Sequence, residues 1–394
     1  MVGPGFSIAR LPRIEFGDGT LRKVPALAAG FGARALLVTG ARSFVTSPHW
    51  TELTGALESG GVEWMHIRVG GEPSPEFVDQ IVTLHADQAI EVVVGIGGGS
   101  VLDAAKAIAG LLKVGRSVME YLEGVGPEHP YEGPAVPFIA VPTTAGTGSE
   151  ATKNAVLSTS GPDAFKKSFR DDRLVAQYAV VDPQLLATCP PELIAANGMD
   201  ALTQLLESYV SLRANPLTDA LALSGLAAVR DGLMPWFEDG VAIARANMAY
   251  AALLSGITLA QTGLGSVHGL ASPLGAYFPI PHGTICGTLV SAATELNLRC
   301  LRERATSGRP LAKYRRAATV LCGRKFSGDE EAHAALVALL DDWTERLKLP
   351  GLAQFGVDES NLDKIVANAR GSSMKTNPIV LSDDELRGLL LSRL

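Results

Sequence analysis

One string narrows the fold more than any other. Glu91-Val92-Val93-Val94-Gly95-Ile96 runs into Gly97-Gly98-Gly99-Ser100 and then Val101-Leu102-Asp103-Ala104-Ala105-Lys106-Ala107. A near-continuous Val/Ile run, without apolar/polar alternation, suits a strand covered on both faces, as in a parallel sheet flanked by helices. The glycines read as a tight turn and the Ala/Leu-rich segment as a helix. Similar apolar runs at Ala35–Thr39, Pro137–Pro142 and Tyr178–Asp182 predict further strands of the same sheet in a βαβ rhythm.

The rhythm changes at Pro190-Pro191, a pair that tends to begin a helix. Beyond it, helical spacing runs through Ala201–Ser211, Leu217–Leu233 and Glu331–Leu347. A chain of 394 residues exceeds one ordinary core. We therefore expect an α/β domain over 1–185, a helical domain over 186–394 and a cleft between them.

Composition excludes several classes. With 47% hydrophobic and 19% charged residues the chain is not disordered, and a net charge of −7 without basic runs argues against nucleic acid. The opening residues Met1 to Gly17 show no basic region followed by an unbroken apolar stretch, and no segment reads as the roughly 18 apolar residues that span a bilayer, so neither export nor a membrane partner is expected. Cys189, Cys286, Cys300 and Cys322 are scattered, which fits a reducing cytoplasm.

Two loops carry candidate binding chemistry. A helix N-terminus behind Gly97, Gly98, Gly99 and Ser100, with Asp103 in the helix, forms an anion site for a pyrophosphate. The second loop, Pro142 to Glu150, offers Thr143, Thr144, Thr147 and Ser149. Both would follow carboxyl ends of neighbouring strands, where α/β proteins bind nucleotides. A ligand-free tight turn and a Ser/Thr-rich helix cap with Glu150 in its first turn are the alternatives.

In the helical half, Asp200 and Gln204 share one helix face. His268 and His282 stand in apolar, glycine-flanked settings. One acid and two imidazoles match Fe(II) or Zn(II), with positions open for a substrate oxygen. The alternative is that the histidines satisfy buried hydrogen bonds and Asp200 caps its helix. His49, His66, His85, His129 and His333 lack partners at ligand spacing and are expected at the surface.

Together these strings resemble the iron-containing alcohol dehydrogenase family, which includes glycerol dehydrogenases and shares its fold with dehydroquinate synthase. The likeness runs from Leu11-Pro12-Arg13-Ile14-Glu15-Phe16-Gly17 through GGGSVLDAAK at 97–106 and PTTAGTGSE at 142–150. It continues through the His268 and His282 segments to Thr376-Asn377-Pro378. It implies a dehydroquinate synthase-like fold, with a Rossmann-like parallel-sheet domain followed by an all-helical domain. It also implies hydride transfer between NAD or NADP and an alcohol, aldehyde or ketone, and a homodimer or larger homo-oligomer.

Residue by residue, the resemblance puts Gly98, Gly99 and Ser100 at the pyrophosphate with Asp103 nearby. Thr143, Thr144, Thr147 and Ser149 would line the ribose and nicotinamide, and Lys166 would lie near a ribose. Asp200, Gln204, His268 and His282 would hold a divalent metal, with Asp200 and the two histidines catalytic. Iron-dependent members carry histidine where this chain has Gln204, which lowers the expected affinity for iron or changes the preferred metal, although Asp200, His268 and His282 could hold zinc or iron without it; they commonly carry another where it has Ser272, which removes a possible proton relay. Gly40 replaces the acid with which NAD-selective members repel a 2′-phosphate, and Arg42 follows it, so NADP is expected to be admitted. Leu264, Phe278 and Cys286 would line the substrate space. The main rival is a metal-independent reductase similar to maleylacetate reductase. A lyase like dehydroquinate synthase and a silent nucleotide binder are further alternatives.

Overall fold

The computed structural model describes residues 5–159, 164–305 and 307–394. The chain divides into two compact units. One comprises Ala9–Thr144 with Gly148–Cys189, and the other comprises Ala145–Thr147 and Pro190–Leu394 together with the described residues up to Ile8.

The first unit runs β1 (Arg13–Phe16), α1 (Val24–Ala29), β2 (Arg34–Gly40), α2 (Pro48–Ser59), β3 (Glu63–Val69), α3 (Pro75–His85), β4 (Val92–Gly97), α4 (Gly99–Leu111) and β5 (Phe138–Pro142). It ends with β6 (Asn154–Ser158), β7 (Lys166–Arg170) and β8 (Tyr178–Val181). Six strands form one parallel sheet in the order β1-β8-β5-β4-β2-β3. The central β4 is buried throughout, which is why its sequence shows no alternation. Three features were not foreseen. β1 and β3 are sheet edges whose apolar residues are interspersed with Glu63, His66 and Arg68 or Arg13 and Glu15, and β6–β7 is a separate antiparallel hairpin.

The second unit is helical: α5 (Pro191–Val210), α6 (Pro216–Asp239), α7 (Ala242–Thr262), α8 (Ser266–Tyr277), α9 (His282–Arg304), α10 (Arg309–Leu321), α11 (Asp329–Arg346), α12 (Leu362–Ala367) and α13 (Asp383–Leu391). Pro191 opens α5 at its first turn, where a missing N–H is harmless. From Gly198 to Val210 every α5 residue is buried. At Gly198 an added Cβ would lie 2.3 Å from Leu233, so glycine lets α6 approach closely.

α7 is long and apolar enough, by length and composition, to cross a membrane. Its Ala, Leu and Ile side chains pack instead in the helical core, where 61% of the apolar window is buried. His85 and His333, expected at the surface, are buried. The His333 ring is held by the Leu311 carbonyl and Arg302, because α11 lies against α10.

Candidate active site

Helix geometry assembles the polar cluster of the helical unit. α5 carries Asp200, Gln204 and Glu207 along one stripe, α8 carries His268 in its first turn, and α9 begins at His282 with Cys286 one turn later. Gly283 lets α9 press on α5, since a Cβ there would lie 2.3 Å from the Ala196 carbonyl. One ligand-type atom each from Asp200, His268, His282 and Cys286 then falls within 4.8 Å of the others. His268 Nε2 lies 3.2 Å and His282 Nε2 3.7 Å from Asp200 Oδ1. Asp200 Oδ2 is buried with no hydrogen-bond partner.

Glu207 sets the orientation of His268. Its carboxylate accepts from His268 Nδ1 at 2.7 Å and from the backbone N–H groups of Gly265 and Val267 at the start of α8. Asn377 accepts from the Ser266 N–H, and the Thr376 hydroxyl donates to the Leu264 carbonyl, so the C-terminal Thr376-Asn377 pair braces the same helix start. With Nδ1–H given to Glu207, Nε2 can face the Asp200 carboxylate only by carrying a second proton or meeting a cation. Burial opposes charge on His268, but Cys286, Asp200 and Glu207 hold its pKa well above the ordinary value. Burial also pushes Asp200 up, yet His282 and His268 pull it below the usual carboxylate value.

Gln204 adjoins the cluster differently from its expected ligand role. Its amide nitrogen donates to Asp200 Oδ1 at 3.1 Å, and its oxygen accepts from the Ser255 hydroxyl at 2.7 Å. Ser272 is exposed on α8. Sequence reasoning gave no role to Glu207 and treated Cys286 as lining. The same four-residue helical spacing that linked Asp200 to Gln204 links His282 to Cys286, but only once α9 is known to start at His282.

In the α/β unit the two loops lie side by side, for the Thr143 N–H donates to the Gly97 carbonyl. Gly97 is required by packing: a Cβ would lie 2.5 Å from Val101. Gly98, Gly99 and Ser100 open α4, which no side chain caps, so its first N–H groups are available to an anion. Thr143 and Thr144 follow β5, while Thr147 falls in the stretch grouped with the helical unit. Gly40 closes β2 on the same sheet edge, and its space admits a Cβ at 3.8 Å from Val101. Lys166 lies on the β6–β7 hairpin and pairs with Glu72.

Beneath these loops lies a network the sequence did not reveal. Lys106 is completely buried, and its ammonium donates to the Ser149 carbonyl and hydroxyl, the Thr152 hydroxyl and the Asn154 carbonyl. The Ser149 hydroxyl donates to Asp103 at 2.5 Å. Burial pushes Lys106 down to about 8, partly opposed by Asp103 and Glu150. Glu150 is pushed up to about 7 by the same cause. An i, i+3 Asp–Lys pair in an Ala-rich helix looks like a solvated pair, and only the loop folding back over it reveals the burial.

Comparison with known proteins covers both units. Residues 12–183 match the family described as iron-containing alcohol dehydrogenase, and residues 194–394 match its C-terminal counterpart. The NAD-dependent methanol dehydrogenase of Bacillus methanolicus is 30% identical over 391 residues, covering 97% of this chain and 98% of that one. The NADPH-dependent butanol dehydrogenase of Clostridium saccharobutylicum is 30% identical over 389 residues, 96% of this chain and 95% of that one. Among solved structures, the archaeal halo-thermophilic Red Sea brine pool alcohol dehydrogenase superposes with a TM-score of 0.90 at 27% identity, covering 100% of both chains.

Proposed function

The chain belongs to the iron-containing alcohol dehydrogenase family, and from that premise we propose how its own residues serve the reaction. It is an oxidoreductase that interconverts a small alcohol and an aldehyde or ketone with a nicotinamide dinucleotide.

A divalent metal fits the donors present. Asp200 offers a buried oxygen without a partner, and two imidazole nitrogens stand beside the same carboxylate. The convergence of these donor atoms within 4.8 Å is the observation that carries the proposal, and the unpaired Asp200 oxygen adds a buried acceptor, costing about 1–3 kcal/mol, that a cation would satisfy. Asp200, His268 and His282 would hold the ion. When bound, the metal supplies Lewis acidity at the substrate oxygen and the dinucleotide supplies or receives hydride.

The remaining work falls to the protein. Glu207 fixes the His268 tautomer and ring plane, as carboxylates commonly do behind metal-binding imidazoles. The uncapped start of α4 holds the pyrophosphate through backbone N–H groups. Thr143, Thr144, Thr147 and Ser149 line the ribose and nicotinamide, and Asp103 reaches them through Ser149. Lys166 serves the ribose. NADP is admitted because Gly40 places no negative charge after β2 and the exposed Arg42 can meet a 2′-phosphate.

Four free cysteines support a reducing cytoplasm. Leu11, Ile14 and Phe16, exposed in or next to edge strand β1, support a homo-oligomer.

Short aldehydes assayed with NADH and NADPH, before and after metal stripping, test the reading. Turnover should vanish on stripping and return with Zn(II) or Fe(II). Gly40→Asp should lower the NADPH/NADH efficiency ratio, and an unchanged ratio would remove the cofactor argument.

A further inference from the structure

We propose that Cys286 is a fourth ligand of the metal centre, and that the centre consequently takes zinc over iron. The proposal rests on the reading of Asp200, His268 and His282 as ligands given above.

Four of the six donor-atom separations match those of a tetrahedral site, and the other two lie within 4.8 Å. With zinc–nitrogen and zinc–oxygen bonds of about 2.1 Å and a zinc–sulfur bond of about 2.3 Å, tetrahedral angles separate N/O pairs by ~3.4 Å and N/S pairs by ~3.6 Å. His268 Nε2 lies 3.2 Å and His282 Nε2 3.7 Å from Asp200 Oδ1. Cys286 Sγ lies 3.6 Å from His268 Nε2 and 3.8 Å from His282 Nε2. The sulfur therefore stands where a fourth protein ligand would, and a substrate oxygen would join as a fifth, an expansion that catalytic zinc permits.

Fold and chemistry agree on that position. His282 and Cys286 are one turn apart on α9, so they face the same way, and Gly283 seats the start of that helix directly on α5 ahead of Asp200. Cys286 has no solvent exposure, and its sulfur lies within hydrogen-bonding reach of both ligand imidazoles. The side chain at 204 is engaged elsewhere, its oxygen accepting from Ser255 and its nitrogen donating to Asp200. An amide oxygen is also a weak donor for a transition metal, whereas a thiolate favours zinc or cobalt over ferrous iron. On binding, the S–H bond breaks, the proton leaves to solvent and a sulfur–metal bond forms, with no change in oxidation state.

Cobalt(II) loaded into the stripped full-length protein tests this without an activity readout. Thiolate ligation gives an intense near-ultraviolet charge-transfer band that oxygen and nitrogen donors lack. The wild type should show the band, and Cys286→Ser should lose it while still binding cobalt. Cobalt bound by the wild type without the band would overturn Cys286 ligation and leave the three-residue centre standing. No cobalt uptake at all would overturn the centre itself. Should Cys286→Ser fail to fold, X-ray absorption of the zinc-loaded wild type decides: a sulfur shell at about 2.3 Å supports the proposal, and a shell of only nitrogen and oxygen overturns it.

Discussion

The glycine turn of the α/β unit and the polar cluster of the helical unit are built by opposite means. The turn is contiguous: Gly97 to Lys106 supply the strand end, the bend and the helix start in one run, because the proposed anion site needs only backbone groups of a single strand–turn–helix. The cluster is dispersed over α5, α8 and α9, and glycine at 283 is what lets α9 press on α5. A contiguous site tolerates changes in helix packing, whereas a dispersed one depends on every helix that contributes a donor.

His268→Ala puts the heaviest strain on that contrast. It should lower kcat by about 10³-fold or more, as expected for losing a donor of the Lewis-acid centre, while the dinucleotide dissociation constant from fluorescence titration stays within about twofold. Comparable losses in both would show that the two sites do not act separately.

Lys106→Met probes the other side. It leaves Asp103 and Glu150 buried without their cation and strips a donor from four acceptors, which should destabilise the protein by about 2–4 kcal/mol. Thermal midpoint and dinucleotide affinity should both fall, and metal content should not. A drop in metal content with unchanged dinucleotide affinity would reverse the assignment of Lys106 to the loops.

These two residues also show what the sequence could disclose. The strand–glycine–helix string, the change at Pro190 and the residue types at 200, 268 and 282 were legible because each is expressed locally as a run, a break or an unusual flanking pattern. Glu207 and Cys286 were not, since a carboxylate inside a buried helix and a lone thiol acquire meaning only from neighbours on other helices. Lys106 was hidden for the same reason. α7 is the converse case: by composition it passes for a bilayer span, because a helix in the middle of a bundle is apolar on most faces.

Glu207→Gln should have a smaller effect. Keeping shape but weakening the hold on His268 Nδ1, it should reduce zinc affinity by about 10–100-fold in competitive chelation, the usual scale for a group behind a metal-binding histidine. Unchanged affinity would make Glu207 a brace for α8 alone.

The smallest predicted effect is in pH dependence. Glu150 has its pKa raised to about 7 from 4.5 in the folded protein, so the folded state holds more protons between those values and this residue's contribution to stability falls as pH rises through them. Glu150→Gln cannot ionise. Its thermal midpoint should match the wild type near pH 4.5 and exceed it by a few degrees at pH 8. Equal midpoints at both pH values would mean that Glu150 keeps an ordinary carboxyl.

The most direct measurement pairs metal content with turnover on a short aldehyde, using stripped protein reloaded in steps with zinc. A single centre at Asp200, His268 and His282 predicts uptake of about one ion per chain, activity rising in proportion, and neither in His282→Ala. Full activity in protein from which metal has been removed to well below one ion per chain would contradict it.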